Sequence, residues 1–446
     1  MNMGFDSLRK SVLKEIKPTE KETKEELAFA EWLKKELRGK LPSEYKVMLM
    51  GSVGKGTFLK NSKDHDIFIL VPKSVKREAL YSIVKNATKK AFPKAKQEMK
   101  YAEHPYVRLF ISGRKVDVVP AYNITYIEER ASAVDRSVLH MKYICEHLSA
   151  EQKEDVLLLK QLLKMHELYG AEIRVQGFSG YLCELLVLKY GSFLNLLKAV
   201  SEWTFPIAID IEGYYPNEEE IVKKFKTQNI TVVDPVDPNR DVAAIVSDEV
   251  TLRFIILARV FLKKPEGKFF KLREFESKHL KEYLKRHANL TCFSTEQPKI
   301  VDDILWGQLR KLGKRIVAYL EKLDFTVLDH YIYSNGKRIY FLVETLESEL
   351  PSKIQILGPG LWEEKHVSSF KKSHSNAVIF LKERRIVATE DRKVRRISDA
   401  IKEFFKKEKD VPSYLSKPVR KAKIEKGVPK EVLEGYFFWR TIYRTS

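Results

Sequence analysis

The chain contains little cysteine. Its 446 residues include three cysteines, Cys145, Cys183 and Cys292, which lie far apart and form no C-x-x-C pair. This scarcity argues against a zinc ribbon or a disulfide framework, and it predicts a protein of a reducing cytoplasm. The ten histidines are scattered and suggest no metal cluster. Local motifs contain no Ser-His-Asp or Cys-His set of the kind that hydrolases use.

Long apolar runs are also missing. The N-terminal segment MNMGFDSLRKSVLKEIKPTE is charged throughout and has no apolar core of the signal-peptide type. No other stretch reaches the length of a membrane span, and we find neither an internal repeat nor a long low-complexity linker. These absences predict a soluble intracellular protein.

Positive charge, in contrast, is in excess. The 81 Lys and Arg residues against 61 Asp and Glu give a formal net charge of +20, spread along the chain. Such an excess favours a polyanionic partner, and because aromatic residues are interleaved with the basic ones, nucleic acid is favoured over membrane. On charge alone, a basic protein without such a partner stays open.

The first third of the sequence has an α/β pattern. Gly39 ends an amphipathic helix, and a basic helix stops before Pro93. The segments predicted as strands are KVMLM, HDIFILV, YVRLFIS and KVDVVPAY.

From Glu151 to Val200 the pattern becomes helical, with wide apolar faces that suit helices packed on each other. A Pro-rich segment, VVDPVDPNRDVAA, interrupts before a further apolar helix. After Lys263 a long helix precedes two strands joined by Asn335-Gly336, a type I′ hairpin signal. By fold analogy this part suits an α+β RNA-binding module. The final stretch mixes basic and aromatic residues, and either a small packed helix or an RNA-binding surface fits it.

One segment, GSVGKGTFLKNSKDHDIFILV, begins like a phosphate-binding loop. Gly51 and Gly56 have the spacing of a Walker A motif, in which the lysine follows the second glycine. Here Thr57 follows Gly56, and Lys55 precedes it. The segment is therefore not a P-loop.

The acidic residues that follow carry a different chemistry. On an extended strand Asp64 and Asp66 point to one face, while His65 points to the other. A third carboxylate, Asp117, lies in the apolar strand KVDVVPAY, where a charge is costly unless it is paired or bound to metal. Mg²⁺ prefers oxygen ligands. Three carboxylates on neighbouring strands after a Gly-Ser turn predict a two-metal nucleotidyl-transfer site.

These residues resemble the DNA polymerase beta nucleotidyltransferase superfamily, in which a Gly-Ser turn precedes an acidic pair and a third carboxylate comes from a later strand. Further motifs resemble the archaeal, class I CCA-adding enzymes, which are tRNA nucleotidyltransferases. In chain order they are YAEHPYVRL, SAVDRS, GFSGYLCELL and VVDPVDPNRDVAA.

The resemblance implies an α+β multidomain fold. It comprises a polymerase-beta-like nucleotidyltransferase head (1–142), a helical central domain that completes the nucleotide pocket (143–262), and an α+β C-terminal tRNA-binding body with a helical tail (263–446). It also implies template-independent addition and repair of the 3′-terminal CCA of tRNA from CTP and ATP. Asp64, Asp66 and Asp117 would hold two Mg²⁺ ions, and the tRNA 3′-hydroxyl would attack the α-phosphate and release pyrophosphate.

The remaining site residues also follow from the resemblance. Ser52 and Lys55 would contact the triphosphate, Lys55 standing where members of the family often carry arginine. Arg240 would bond the base edge together with an RNA phosphate. The residues assigned to the sugar or phosphates are Ser137, His140, Lys160 and Tyr169, and those near the primer end are Glu103, His104 and Pro105. Lys160 and Tyr169 can share a pocket only if their helix ends before Tyr169, which Gly170 permits.

Two alternatives remain open. A poly(A) polymerase or other terminal nucleotidyltransferase would use the same carboxylates on a different RNA. A non-catalytic RNA-binding protein is disfavoured, because an unused acidic cluster would repel RNA and triphosphate.

The predicted partner is the tRNA acceptor stem and 3′ end, recognised by shape and backbone contacts from the C-terminal half. The sequence does not decide between a monomer and a homodimer.

Overall fold

A computed structural model describes residues 2–62, 64–101, 105–272, 284, 289–407 and 411–441. Two compact units divide the chain between Arg273 and Glu274. The combination of helices and mixed sheets confirms the predicted α+β class. In the described stretches no helix is both long enough and apolar enough to cross a membrane.

The first unit begins with helices α1 (Asn2–Ile16) and α2 (Glu20–Arg38). The sequence predicted α2 but not α1. A capping box starts α2, because the Thr19 side chain accepts a hydrogen bond from the backbone N–H of Glu22, whose carboxylate in turn accepts one from the Thr19 N–H.

A five-stranded sheet forms the centre of this part, in the order β1-β2-β5-β4-β3. Its strands are β1 (Lys46–Met50), β2 (Asp64–Val71), β3 (Lys96–Tyr101), β4 (Pro105–Ile111) and β5 (Arg114–Tyr122). The predicted strands are therefore present. Strands β2 and β5 run parallel, and the other neighbours are antiparallel. Apolar side chains from the central strands form the core against α2 and α4 (Leu80–Ala91), and the short helix α3 (Gly51–Lys55) follows β1.

The rest of the first unit is mainly helical. Its helices are α5 (Arg136–His147), α6 (Ala150–Met165), α7 (Gly180–Tyr190), α8 (Phe193–Ser201), α9 (Glu218–Phe225) and α10 (Asp248–Lys263). Serine side chains cap the N-termini of four of them, at Ser149, Ser179, Ser192 and Ser247. Short 3₁₀ turns occur at Arg77–Ala79, Ile127–Glu129 and Gly267–Phe270.

The Pro-rich segment is more than an interruption, because it forms a hairpin. Strands β6 (Ile207–Ile209), β7 (Ile230–Asp234) and β8 (Asp237–Asp241) make a three-stranded sheet in that order. Pro235 lies in the two-residue turn, and Pro238 lies on β8, an edge strand. An edge strand tolerates a residue that cannot donate a backbone hydrogen bond.

The second unit contains two sheets, in the orders β10-β11-β9-β15 and β12-β14-β13. Its strands are β9 (Asn289–Glu296), β10 (Val327–Ser334), β11 (Arg338–Thr345), β12 (Lys353–Gly360), β13 (Val378–Lys382), β14 (Arg385–Asp391) and β15 (Lys423–Ile424). In the described part of this unit, the helices with both ends described are α11 (Asp302–Lys322), α12 (Glu364–Ser373), α13 (Ile397–Lys407), α14 (Ser416–Arg420) and α15 (Lys430–Thr441).

Two predictions for this unit can be compared with the structure. Asn335, Gly336 and Lys337 connect the antiparallel strands β10 and β11, so the predicted hairpin is present. Among these three residues only Gly336 has a positive φ, +83°, whereas a type I′ turn needs a positive φ at both central residues, so the predicted turn type is wrong. The C-terminal stretch forms a packed helix, in which Tyr436 is buried and donates a hydrogen bond to Glu344 at 2.5 Å. Its use as an RNA-binding surface stays a prediction.

Candidate active site

The parallel pairing of β2 with β5 brings the predicted carboxylates together. Asp66 lies directly opposite Asp117, and Asp64 lies opposite Lys115. Because side chains alternate along a strand, Asp64 and Asp66 share a face. His65 points to the other face, as expected, where it is buried and its Nε2 lies 2.8 Å from Glu26 on α2.

The environment of Asp66 shifts its pKa. Burial, followed by the charges of Asp117 and Asp64, raises its pKa to about 6. The turn after β1 packs against its carboxylate, and a Cβ atom at Gly51 would overlap Asp66 Oδ2. Gly51 also has φ +65°, so both conformation and space require glycine in the predicted Gly-Ser turn.

Two cations that the sequence analysis did not identify bind the other carboxylates. Arg108 donates from Nε and Nη2 to the two oxygens of Asp117, at 2.6 and 2.7 Å. Lys115 Nζ lies 2.9 Å from Asp64 Oδ1. Across the residues that the structure describes, no three His, Cys, Asp or Glu side chains are gathered as a ready-made metal site.

The residues nevertheless fit Mg²⁺. The donors are carboxylate oxygens, which this hard cation prefers. Burial is the main reason for the raised pKa of Asp66, and the negative charges of Asp117 and Asp64 add to it. A bound divalent cation would offset both effects, because it stabilises the ionised carboxylate.

A second group of residues, which we call the Glu184 cluster, consists of Lys55, Thr57, Lys160 and Glu184. Lys55 Nζ lies 2.7 Å from Glu184 Oε2, and Lys160 Nζ lies 3.3 Å from Oε1. Thr57 donates its hydroxyl to Oε1 at 2.6 Å and accepts Lys160 at its backbone carbonyl at 3.0 Å. Burial alone would raise the pKa of Glu184, but Lys160 and Lys55 hold it below its usual range. All four residues are buried, and their charges sum to one excess positive charge.

Tyr169 lies beside this cluster. Helix α6 ends at Met165, so Tyr169 lies beyond the helix, as a pocket shared with Lys160 requires. A Cβ atom at Gly180 would lie 3.0 Å from the hydroxyl of Tyr169 and 3.5 Å from Lys160 Nζ. The two predicted residues therefore converge next to Gly180.

A third group, the Asp234 cluster, consists of His140, Tyr181, Asp234 and Arg240. Asp234 Oδ2 lies 2.8 Å from His140 Nε2 and 2.8 Å from Arg240 Nη1, and Oδ1 accepts the Tyr181 hydroxyl at 3.1 Å. His140 stacks on Tyr181 with ring centroids 4.0 Å apart. Burial lowers the pKa of His140, although Asp234 acts in the opposite direction.

Tyr181 connects the two clusters, since Lys55 Nζ lies 5.1 Å from the centre of its ring. Tyr181 and Glu184 are three residues apart on α7 and so share a face of the helix. Of the other predicted residues, Ser52 lies on α3, and Ser137 is half-buried on α5, one turn before His140.

The primer-end residues are only partly described. Pro105 is the first residue of β4, whereas Glu103 and His104 lie outside the described residues.

The sequence analysis missed Glu184 and Asp234. One signal for Glu184 was available, an acidic residue inside an apolar helix. Asp234 lies in the VVDPVD motif, from which only the nearby Arg240 was selected.

Three family models match the chain in succession. They describe a nucleotidyltransferase domain over residues 30–144, the second domain of a tRNA nucleotidyltransferase over 154–271, and the C-terminal domain of a CCA-adding enzyme over 286–425. The first match agrees with the predicted polymerase-beta-like head.

Curated relatives give the same result over most of the chain. A CCA-adding enzyme of Methanocaldococcus jannaschii is 34% identical over 90% of this chain and 91% of its own length. The CCA-adding enzyme of Methanosarcina acetivorans is 34% identical over 83% of this chain and 82% of its own length. That of Methanothermobacter thermautotrophicus is 35% identical over 82% of this chain and 81% of its own length. The chain that carries these three carboxylates therefore belongs to the archaeal CCA-adding enzyme family and is a nucleotidyltransferase.

Proposed function

We propose that this protein adds and repairs the 3′-terminal CCA of tRNA, using CTP and ATP as substrates. The observation that carries the proposal is the register of β2 and β5, in which Asp66 faces Asp117 and Asp64 shares the face of Asp66. The choice of the CCA end of tRNA as the product is supported by family membership, because the curated relatives are named CCA-adding enzymes.

Asp64 and Asp66 would hold two Mg²⁺ ions, with Asp117 as a further ligand of one. When bound, such ions lower the pKa of an attacking hydroxyl and neutralise charge on departing pyrophosphate. The 3′-oxygen of tRNA forms a bond to the α-phosphorus while the bond from that phosphorus to the β-phosphate bridge breaks. The contribution of the protein is to fix the three carboxylates on adjacent strands, so that the reactants meet in one orientation.

The triphosphate would lie against Ser52 and the Glu184 cluster. Two ammonium groups share one carboxylate there, so the cluster has one uncompensated positive charge at a site of low water content. An anionic triphosphate would neutralise it. Lys55 offers a point charge where a bidentate arginine is common in the family, so its contact with phosphate is less directional.

The nucleotide sugar and base would lie toward Ser137 and the Asp234 cluster, with Arg240 at the base edge. We assign the acceptor stem of tRNA to the C-terminal half, through shape, phosphate and 2′-hydroxyl contacts. The division into residues 1–142, 143–262 and 263–446 remains part of this proposal.

The test uses tRNA that lacks its 3′ CCA, incubated with Mg²⁺ and with CTP, ATP or both, and read at single-nucleotide resolution. We expect two additions from CTP and one further addition when ATP is present. Asp66→Ala should abolish all three, whereas Asp6→Ala, an exposed aspartate on α1, serves as the matched control.

Long A tails would instead identify a poly(A) polymerase. No addition by the unmodified protein would overturn the proposal and leave an RNA-binding protein with an inactive site.

A further inference from the structure

The β7–β8 hairpin presents two buried aspartates with different partners. Asp234 ends β7 and is fully buried, while Asp237 begins β8 and is 2% exposed. Asp234 binds His140, Tyr181 and Arg240. Asp237 binds Arg130 and Arg136, both through Oδ2, at 2.8 and 3.0 Å.

We propose that Asp234 is a positioning residue for nucleotide selection. It fixes the side chains of Arg240 and His140, so that the site favours bases with a hydrogen-bond acceptor at the edge that Arg240 contacts. This inference rests on the proposed function, because it takes Arg240 to contact the base. In this proposal Asp234 acts through Arg240 and His140 and is not itself a ligand of the substrate or the metal.

The first argument is the geometry of Arg240. One terminal nitrogen is held by a carboxylate that is fully buried, while 31% of the arginine side chain remains exposed. A guanidinium has five N–H donors in a rigid plane, so anchoring one of them sets the direction of the others. Without the anchor, the side chain can adopt many rotamers and its donors have no fixed direction.

The second argument concerns His140. An ionised carboxylate only accepts hydrogen bonds, so Asp234 requires a proton on Nε2 of the imidazole. Stacking on Tyr181, whose hydroxyl bonds to the same carboxylate, fixes the ring plane. One buried group thus orients two side chains of the predicted nucleotide site.

A fixed donor at the base edge has a chemical consequence. Cytosine and adenine both present a ring nitrogen that accepts a hydrogen bond beside an amino group, whereas uracil and guanine present an N–H there. A donor held in place can hydrogen-bond to the ring nitrogen of cytosine or adenine. With uracil or guanine the same donor faces another N–H donor. A base that covers the Arg240 donor without accepting its hydrogen bond leaves that donor unpaired, and sites built to make such a bond reject the wrong substrate.

The experiment compares Asp234→Asn with the unmodified enzyme in single additions of CTP, ATP, UTP and GTP to tRNA lacking CCA, with kcat and KM determined for each. We expect the preference for CTP over UTP to fall at least about tenfold, with KM for CTP rising more than kcat falls. A purely structural role would reduce the active fraction and lower all four rates by the same factor. Such a uniform loss would overturn the proposal.

Asp237→Asn is the matched control. It removes a buried, ion-paired carboxylate from the same hairpin and should lower thermal stability, yet leave the CTP-to-UTP ratio unchanged. If Asp234→Asn does not fold, Asp234→Glu keeps the charge but moves the carboxylate by one methylene group, and it should also lower the ratio. An unchanged ratio in that variant would contradict the inference.

A double-mutant cycle tests whether Asp234 changes the CTP-to-UTP ratio through Arg240. If Asp234 acts through Arg240, Asp234→Asn should change the ratio no further in a protein that already carries Arg240→Ala. An additional loss of selectivity in that background would refute positioning through Arg240. Failure of the proposed function would be seen separately, as absence of CCA addition by the unmodified enzyme.

Discussion

Replacement of Glu184 by glutamine tests the Glu184 cluster most directly. The side chain keeps its shape and one hydrogen-bond acceptor, but it loses the charge that Lys55 and Lys160 share. The side chains of these two lysines are only 10% and 3% exposed, so water compensates little of the loss. Glu184→Gln therefore leaves two positive charges buried beside each other.

The expected loss of stability in Glu184→Gln follows from the burial of Lys55 and Lys160. Removing one partner of a buried ion pair costs about 3–5 kcal/mol, because the remaining charge is uncompensated. Each kcal/mol lowers the melting temperature by roughly 2–4 °C in a unit of this size, which gives a total decrease of roughly 6–20 °C. Glu31→Gln, which breaks an exposed pair with Lys34, should leave the melting temperature nearly unchanged.

Thermal unfolding followed by circular dichroism at several pH values provides the assay. The pKa of Glu184 is held below its ordinary value of 4.5 in the folded protein. Its ionised form therefore stabilises the fold fully above that value, and the stabilisation is lost as the pH falls through the folded pKa. The difference between the unmodified protein and Glu184→Gln should shrink in acid.

A decrease of less than about 2 °C at neutral pH would refute this reasoning, since it would mean that water or rearrangement compensates the two lysines. A difference that grows in acid would refute the assigned direction of the pKa shift. Addition of a nucleoside triphosphate should restore part of the lost stability, because its phosphates supply negative charge to the same lysines.

Further predictions concern the carboxylates and the RNA. Asp66→Asn should raise the melting temperature of the metal-free protein at neutral pH while abolishing nucleotide addition, and the gain should fade as the pH falls below about 6, where Asp66 itself takes up a proton. Arg108→Gln should increase the affinity for Mn²⁺ severalfold, measured by paramagnetic resonance without nucleotide, because Arg108 binds both oxygens of Asp117; a lower affinity would show that it orients a ligand instead. Affinity for tRNA should fall steeply with salt, and a nearly flat dependence would contradict binding through phosphates.

The part of the site that lies on strands was predictable from local pattern. An apolar run follows Asp66, two valines flank Asp117, and the period of two along a strand assigns Asp64 and Asp66 to one face. His65 was assigned to the opposite face by the same rule. Once β2 pairs with β5, these residues become neighbours, because the register places Asp66 opposite Asp117.

The cation partners were not predictable in the same way. Whether Lys55 faces solvent or Glu184 depends on the position of α7, and nothing in the loop sequence specifies it. The β7–β8 hairpin was missed because prolines weigh against strands, although an edge strand accepts them. Helix α1 was missed because its charged residues are spread along the whole segment, although its apolar residues Val12, Leu13 and Ile16 are buried.

The Glu184 cluster also has a consequence for biosynthesis. Lys55 and Thr57 leave the ribosome 129 and 127 residues before their common carboxylate. The strands that carry the aspartates can pair earlier, because they are close in sequence, but the lysine site must wait for a long loop to close. A nascent or truncated chain that ends before α7 can therefore contain the acidic sheet and still lack the carboxylate that holds Lys55, so under the proposed function an incomplete molecule would have the metal ligands without the triphosphate site.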